Sequence, residues 1–497
     1  MRILRSTALP QEAKADLLIV GVFEGSEITP VSKLDALMGG HLSVHVKEEE
    51  YKATVGATLV IHTHGKLPYR KLALLGLGER KGFDLGRLRS ATARAAKLAG
   101  ASKAKTLALW LPFEKATPKV GDAIQAAAEG LLLGAYRYDR YKEDKKAKPL
   151  EEVTLLTALN INAKFFEKAV ADAHAFAGAS TYARDLVNTP ALEMHPATFV
   201  QEALALAIGQ KRMAIKIYGR KELLEMGCGG ILAVAQGSAH EPKMIHLSYK
   251  PAVKARKRVV LVGKGVTFDS GGLSLKPADG MMDMKIDMAG AAAVLAVFRA
   301  LTVLKLPVEV HGVCAMVENM PSGTAIRPGD IVKTMSGKTI EILNTDAEGR
   351  VTLADTLFYG SKLKPDMMID LATLTGACIV ALGQDITGML TDDDRLAGRL
   401  EQASATSGEP LWRLPLYAPY ADQVKSRHAD LKNIGSKGGA GTITAALFLK
   451  EFIGETPSWA HLDIAGPSYN EKDYQDERPW GASGHGARLL LTLLRSL

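Results

Sequence analysis

The stretch Val262–Val294, VGKGVTFDSGGLSLKPADGMMDMKIDMAGAAAV, decides how the chain reads. It grows out of an apolar, β-rich run, RVVLVG from Arg258, with the character of a strand covered on both faces. It then delivers Lys264, Asp269, Lys276, Asp283, Lys285 and Asp287 before a helix of small residues begins at Ala289. Charges gathered just past a central strand suit a site better than a core, because ligands of open α/β sheets lie beyond the carboxyl ends of the strands. Gly263, Gly265, Gly271 and Gly272 permit tight turns and close backbone approach. The plain alternative is a glycine-rich surface loop with ordinary ion pairs.

A second segment follows the same pattern. Asn344–Arg350, NTDAEGR, comes directly after the strand-like TIEIL (339–343). Taken alone it is a helix start, with Thr345 and Glu348 at capping-box spacing and acids suited to the positive end of the helix dipole. Gly349 and Arg350 fit that reading poorly, since one weakens a first turn and the other brings positive charge to the wrong end. Together the two segments offer Asp269, Asp287, Asp346 and Glu348. Four carboxylates in one crevice repel one another unless cations lie between them. Two divalent ions would resolve this with oxygen ligands, and such a pair can activate water and polarise a carbonyl. A nearby lysine could stabilise a developing oxyanion, or lose its proton beside metal ions and become a nitrogen ligand. NTDAEGR can then be both a capped helix start and half of a metal site.

Outward from these segments, short apolar runs alternate with helical patterns, which predicts α/β architecture. Strands are expected at 16–22, 71–78, 106–112 and 153–159 in the first third, and at 214–219, 243–250, 258–265, 308–318, 367–373 and 459–466 beyond it. A charged stretch at 136–152 reads as a surface loop, and a long helical pattern from about residue 165 as the link between domains. The expected division is a smaller α/β domain over 1–164 and a larger one over 165–497. With 47% hydrophobic and 23% charged residues, the composition is that of a soluble globular protein with a large core. A net charge of +8 permits contact with nucleic acid without demanding it, and the basic segment near 137–148 makes DNA the alternative partner. Three widely spaced cysteines, Cys228, Cys314 and Cys378, suggest a reducing compartment. No secretory signal and no uninterrupted apolar run of membrane-spanning length is read, so a cytoplasmic protein is expected.

Other chemistries fail their spacing tests. There is no HExxH, and the pairs His41/His45 and His62/His64 lack an acidic partner and read as structural. There is no GxSxG elbow. SGKT at 336–339 has Val332 where a phosphate loop needs its first glycine. The GKG at 263–265 has Phe268 where a dinucleotide fingerprint needs its third glycine. GSKGGAGT (435–442) reads as a connecting loop.

VGKGVTFDSGGLSLKP with NTDAEGR, then DLATLTGA (370–377) and WAHLDIAGP (459–467), resembles the leucine aminopeptidase family, the cytosolic two-metal peptidases that include bacterial aminopeptidase A. The likeness covers about residues 165–497 and is weaker before that, resting mainly on AYRYDRYK (135–142). It implies a metal-dependent aminopeptidase whose C-terminal α/β/α catalytic domain holds a central mixed sheet. It implies Lys264, Asp269, Asp287, Asp346 and Glu348 as ligands of two divalent ions, zinc or manganese, with Asp269 and Glu348 bridging. Lys276 would polarise the scissile carbonyl, and Arg350 would hold a bicarbonate ion acting as general base. Met284, Thr373, Leu374 and Gly376 would line a pocket for leucine and other apolar N-terminal side chains of peptides. The family also implies a homohexamer, a dimer of trimers, and for some bacterial relatives a DNA-binding role. Leu192 departs from the asparagine frequent in relatives, with an effect expected on loop packing, and His485 departs toward a structural role.

Overall fold

In the computed structural model, which describes residues 1–25, 29–117, 119–143, 150–435, 438–472 and 476–497, the chain divides into two compact units. One is Met1–Gly178 with Asp473–Pro479, the other Ala179–Lys472 with Trp480–Leu497. The division falls within the helix Ala163–Asn188.

The first unit is built on β1 (Arg2–Ser6), β2 (Leu17–Phe23), β3 (Thr58–His62), β4 (Lys71–Gly78), β5 (Thr106–Trp110) and β6 (Glu152–Leu156). Among the described residues these form one sheet, ordered β1-β6-β5-β2-β4-β3 and parallel except for β3. Leu17–Val20 are fully buried, as the apolar run predicts. The strands β1 and β3 escape a hydrophobicity reading because they lie at the edges, and β3 buries every second residue only.

In the second unit the strands are β7 (Met213–Tyr218), β8 (Lys243–Tyr249), β9 (Arg258–Asp269), β10 (Glu309–Asn319), β11 (Ile331–Lys333), β12 (Thr339–Glu341), β13 (Met367–Ala372), β14 (Thr387–Leu390), β15 (Leu411–Leu414), β16 (Leu431–Lys432), β17 (Trp459–Asp463) and the short pair β18 (Tyr469–Asn470) and β19 (Gly481–Ala482). The main sheet runs β15-β14-β17-β13-β9-β10-β8-β7. Its centre, from β17 to β10, is parallel, while β8, β7 and β14 introduce antiparallel pairs, which makes it mixed. Val259–Val262 at the axis of this sheet are fully buried. On one face Val260 and Val262 pack with Val351, Leu353 and Leu357 of the helix Glu348–Lys362. On the other face Gly263 lets the start of the helix Ala289–Leu304 come so close that a Cβ there would stand 2.6 Å from Ala291. The result is a three-layer α/β/α arrangement.

Three stretches bear on the expectations. The stretch Ala278–Leu304 has the length and composition of a membrane span, yet it is mostly buried inside this unit as core. Leu192 is 91% exposed, so it does little loop packing. Residues 144–149 of the basic segment, and 436–437 of the glycine-rich loop, lie outside the described residues.

Candidate active site

The site begins with a break in strand regularity. Along β9 and β10 the register slips between Val317 and Glu318: Val317 faces Val266, but Glu318 faces Phe268. Thr267 is therefore the extra residue of a bulge. Lys264 and Asp269 are five residues apart, and in a regular strand an odd spacing puts side chains on opposite faces. The bulge restores them to one side, where both enter the same cluster.

Lys264 lies beneath the helix that starts at Glu348. Its ammonium is 2.6 Å from Asp287 Oδ1 and 2.9 Å from Glu348 Oε1, and it donates to the Thr373 carbonyl at 3.0 Å. Gly349 is required here, because a Cβ on it would stand 2.3 Å from Lys264 Cε. The glycine that looked wrong for a first helical turn thus makes room for this lysine. The capping box, by contrast, does not form. The N-cap is Ala347, and Thr345 instead donates to the Gly271 carbonyl at 2.6 Å and accepts from Ser274 N–H at 2.7 Å. Its hydroxyl is spent on holding the 269–276 turn against the 344–348 segment rather than on the helix.

That turn carries the second lysine. Gly271 and Gly272 have φ of +85° and +64°, conformations a side chain strains, and the backbone N–H of Lys276 returns to the Ser270 carbonyl at 3.0 Å. Lys276 Nζ then reaches Asp269 Oδ2 at 2.9 Å and Asp346 Oδ1 at 2.5 Å. Oxygens of Asp269, Asp346 and Glu348 lie within 4.8 Å of one another. Asp287 joins through Lys264 and through the Thr373 hydroxyl, which donates to its Oδ1 at 2.7 Å.

Burial raises the carboxyls of Asp269, Asp287 and Asp346, and neighbouring carboxylates raise them further, while the lysines oppose this. Burial works against the charge of each lysine, but the surrounding carboxylates outweigh it and hold both ammoniums protonated. Bonding capacity is left over even so. Asp287 Oδ2 and Glu348 Oε2 are buried without a hydrogen-bond partner among the described residues, and so is Arg350 Nε. Burial lowers the Arg350 guanidinium to about 10, against the pull of Glu348 and Asp463, so it stays charged at neutral pH.

The remaining expected residues lie on the adjoining elements. Met284 opens the short helical stretch Met284–Met288 that carries Asp287. Leu374 follows β13, and its N–H donates to Asp463 Oδ1 at 3.2 Å. Gly376 begins the helix Gly376–Leu382, capped by Thr375, whose hydroxyl donates to Asp463 Oδ2 at 2.6 Å. Sequence reasoning passed over Asp463 and Asn319, although each ends a buried parallel strand, the position that singled out Asp269. Asn319 Nδ2 donates to Asp269 Oδ1 at 2.8 Å and to the Thr345 carbonyl at 2.9 Å.

The chain is similar to known proteins along its length. Residues 181–491 match the catalytic domain of the cytosol aminopeptidase family, and residues 19–145 match its N-terminal domain. A probable cytosol aminopeptidase from Geobacter sp. is 43% identical over 498 residues, covering 100% of both chains. One from Thermosynechococcus vestitus is 44% identical over 499 residues, covering 99% of this chain and 98% of the relative. Among solved structures, a tomato leucine aminopeptidase variant superposes with a TM-score of 0.90 at 34% identity, covering 100% of this chain and 97% of that one. The bottromycin maturation enzyme BotP in complex with Mn gives 0.85 at 38% identity, covering 97% and 99%. The chain belongs to the cytosol aminopeptidase family and is a peptidase, a hydrolase that acts on peptides as an aminopeptidase.

Proposed function

We propose that the cluster is a centre for two divalent metal ions and that the enzyme releases leucine and other apolar residues from peptide N-termini. The observation that carries this is the set of oxygens from Asp269, Asp346 and Glu348 within 4.8 Å, flanked by buried carboxylate oxygens with bonding capacity unused. The donors fit such ions: carboxylate oxygens from Asp269, Asp287, Asp346 and Glu348, with Lys264 as a nitrogen ligand once bound cations offset those carboxylates and its ammonium gives up a proton. Manganese bound to the similar BotP supports a divalent ion, with zinc the other candidate. The ions would supply Lewis acidity and a water nucleophile at neutral pH.

The chain's own residues do the rest. Lys276 is more open to solvent than Lys264, with 16% side-chain exposure against 4%, and its ammonium is placed to stabilise negative charge developing on the scissile carbonyl oxygen. The guanidinium of Arg350, whose buried Nε has no hydrogen-bond partner among the described residues, is suited to hold a small anion such as bicarbonate as proton acceptor. Met284, Leu374, Thr373 and Gly376 form the pocket for the first side chain. By the same family likeness the assembly is read as a hexamer in the cytoplasm, which sedimentation of the purified protein would check.

The decisive experiment is hydrolysis of a leucine amide chromogenic substrate after chelation and after adding back zinc or manganese. Loss and recovery of turnover is the expected result. Folded protein that stays fully active after complete metal removal would overturn the metal reading. Filter binding to duplex DNA at low salt, falling steeply as salt rises, is the result that would bring in the DNA-binding role.

A further inference from the structure

Asn319 lies where the two halves of the site meet. It is the last residue of β10, opposite Asp269 in register and 2% exposed. Its one Nδ2 group serves two acceptors, Asp269 Oδ1 and the Thr345 carbonyl. Its own carbonyl accepts from Ser270 N–H at 3.0 Å and from Ser270 Oγ at 2.7 Å. The turn closes tightly over it, since a Cβ on Gly272 would stand 2.8 Å from Asn319 Oδ1.

We infer that Asn319 is a positioning residue that fixes both the rotation of the Asp269 carboxylate and the offset between Asp269 and Asp346. A carboxylate turns easily about its terminal torsion, whose wells are broad. Here Oδ1 is held from behind by two neutral donors, Asn319 Nδ2 at 2.8 Å and Gly271 N–H at 2.9 Å. That leaves Oδ2, the oxygen facing Lys276 Nζ, turned into the cluster. The second hydrogen of the same amide holds the carbonyl of Thr345, one residue before Asp346. An amide suits this place in a way its isostere does not. Aspartate would set a third acceptor against two others and add negative charge beside Asp269. Glutamine would overshoot by a methylene. Partners of this kind around a metal ligand change metal affinity roughly 10- to 100-fold when removed.

The inference rests on the metal-centre reading, and its test separates the two. Full-length protein, stripped by chelation, is titrated with Mn²⁺ by calorimetry as wild type, Asn319→Ala, Asn319→Asp and Thr345→Val. The expected result is Mn²⁺ binding by wild type and roughly 10- to 100-fold weaker binding by both Asn319 variants. At saturating Mn²⁺, kcat for the leucine amide should fall while KM changes little. Asn319→Asp keeps the size of the side chain and carries the test if Asn319→Ala does not fold. Thr345→Val loosens the same two segments without freeing a carboxylate oxygen, and should lower the unfolding temperature while leaving Mn²⁺ affinity within a few-fold. Wild type that binds no Mn²⁺ overturns the metal reading and this inference with it. Wild type that binds while both Asn319 variants bind equally well overturns the inference alone. Equal losses in Thr345→Val and Asn319→Ala would also overturn it, since general loosening would then suffice.

Discussion

Both units bury charge, and they do so differently. In the first, Arg89 and Glu129 meet between two helices at 2.9 Å, 3% and 1% exposed. Gln125 donates to the other oxygen of Glu129 at 2.7 Å, so both carboxylate oxygens are engaged. In the second, Lys264 and Lys276 are spread over four carboxylates, and Asp287 Oδ2 and Glu348 Oε2 remain without a partner among the described residues. Strand ends repeat the contrast. The parallel strands β2, β4 and β5 end at Phe23, Gly78 and Trp110, whereas β9, β10 and β17 end at Asp269, Asn319 and Asp463. Buried charge alone therefore does not mark a site; unspent carboxylate oxygens gathered beside polar strand ends do.

Substitutions can break this contrast. The largest effect is expected from Asp269→Ala, which should lose activity together with bound metal; full metal occupancy in that variant, read by elemental analysis, would contradict the role given to Asp269. Lys276→Ala should lower kcat roughly 100- to 1,000-fold, as loss of one oxyanion-stabilising donor does, while metal content survives. A fully active Lys276→Ala enzyme would remove that lysine from the chemistry. On the structural side, Glu129→Ala removes the carboxylate that Arg89 Nε pairs with and should cost about 3–5 kcal/mol in denaturant unfolding, with turnover of the folded fraction unchanged. A drop in kcat there would show that the first unit's pair is not purely structural.

A smaller effect separates the two kinds of burial by pH. Burial pushes the Asp355 carboxyl up to about 7, against the backbone N–H groups of Met335, Ile231 and Gly230 that favour its charge. A carboxyl raised in the folded state contributes stability fully present below about pH 4 and lost as pH rises through about 7. Urea unfolding of wild type should therefore lose about 3 kcal/mol more between pH 5 and pH 8 than that of Asp355→Asn. Parallel pH curves would mean that those backbone donors keep Asp355 ionised throughout. The smallest change is expected from replacing Arg89 and Glu129 together by leucine and methionine, where a stability near wild type fits a pair that serves packing only.

Much of this was legible in the residues. Apolar runs located β2, β4, β9, β10, β13 and β17 because central strands are covered on both faces, and KLALLGLG matches β4 end to end. Edge strands such as β3, and the short β14 and β15, lack that density of apolar residues. The charged residues past Gly263 pointed to the cluster because few folds place so many charges after a buried strand. The capping box misled for a physical reason: Thr345 had a better use than its own helix, and only the fold brings Gly271 and Ser274 to it. Asn319 was hidden by the same limit, since its partners are 50 and 26 residues away in sequence.

The bulge at Thr267 carries a consequence for how this segment can change. Facing in a strand is a matter of parity, odd or even, with nothing in between. Exchanging one residue for another between Lys264 and Asp269 alters size or polarity by degrees. Removing one leaves Lys264 and Asp269 four apart, an even spacing that keeps them on one side only if the bulge is lost with it. A library that shortened this segment by one residue should therefore keep activity only in members whose strand straightens as it loses the bulge, and lose it wherever the bulge persists.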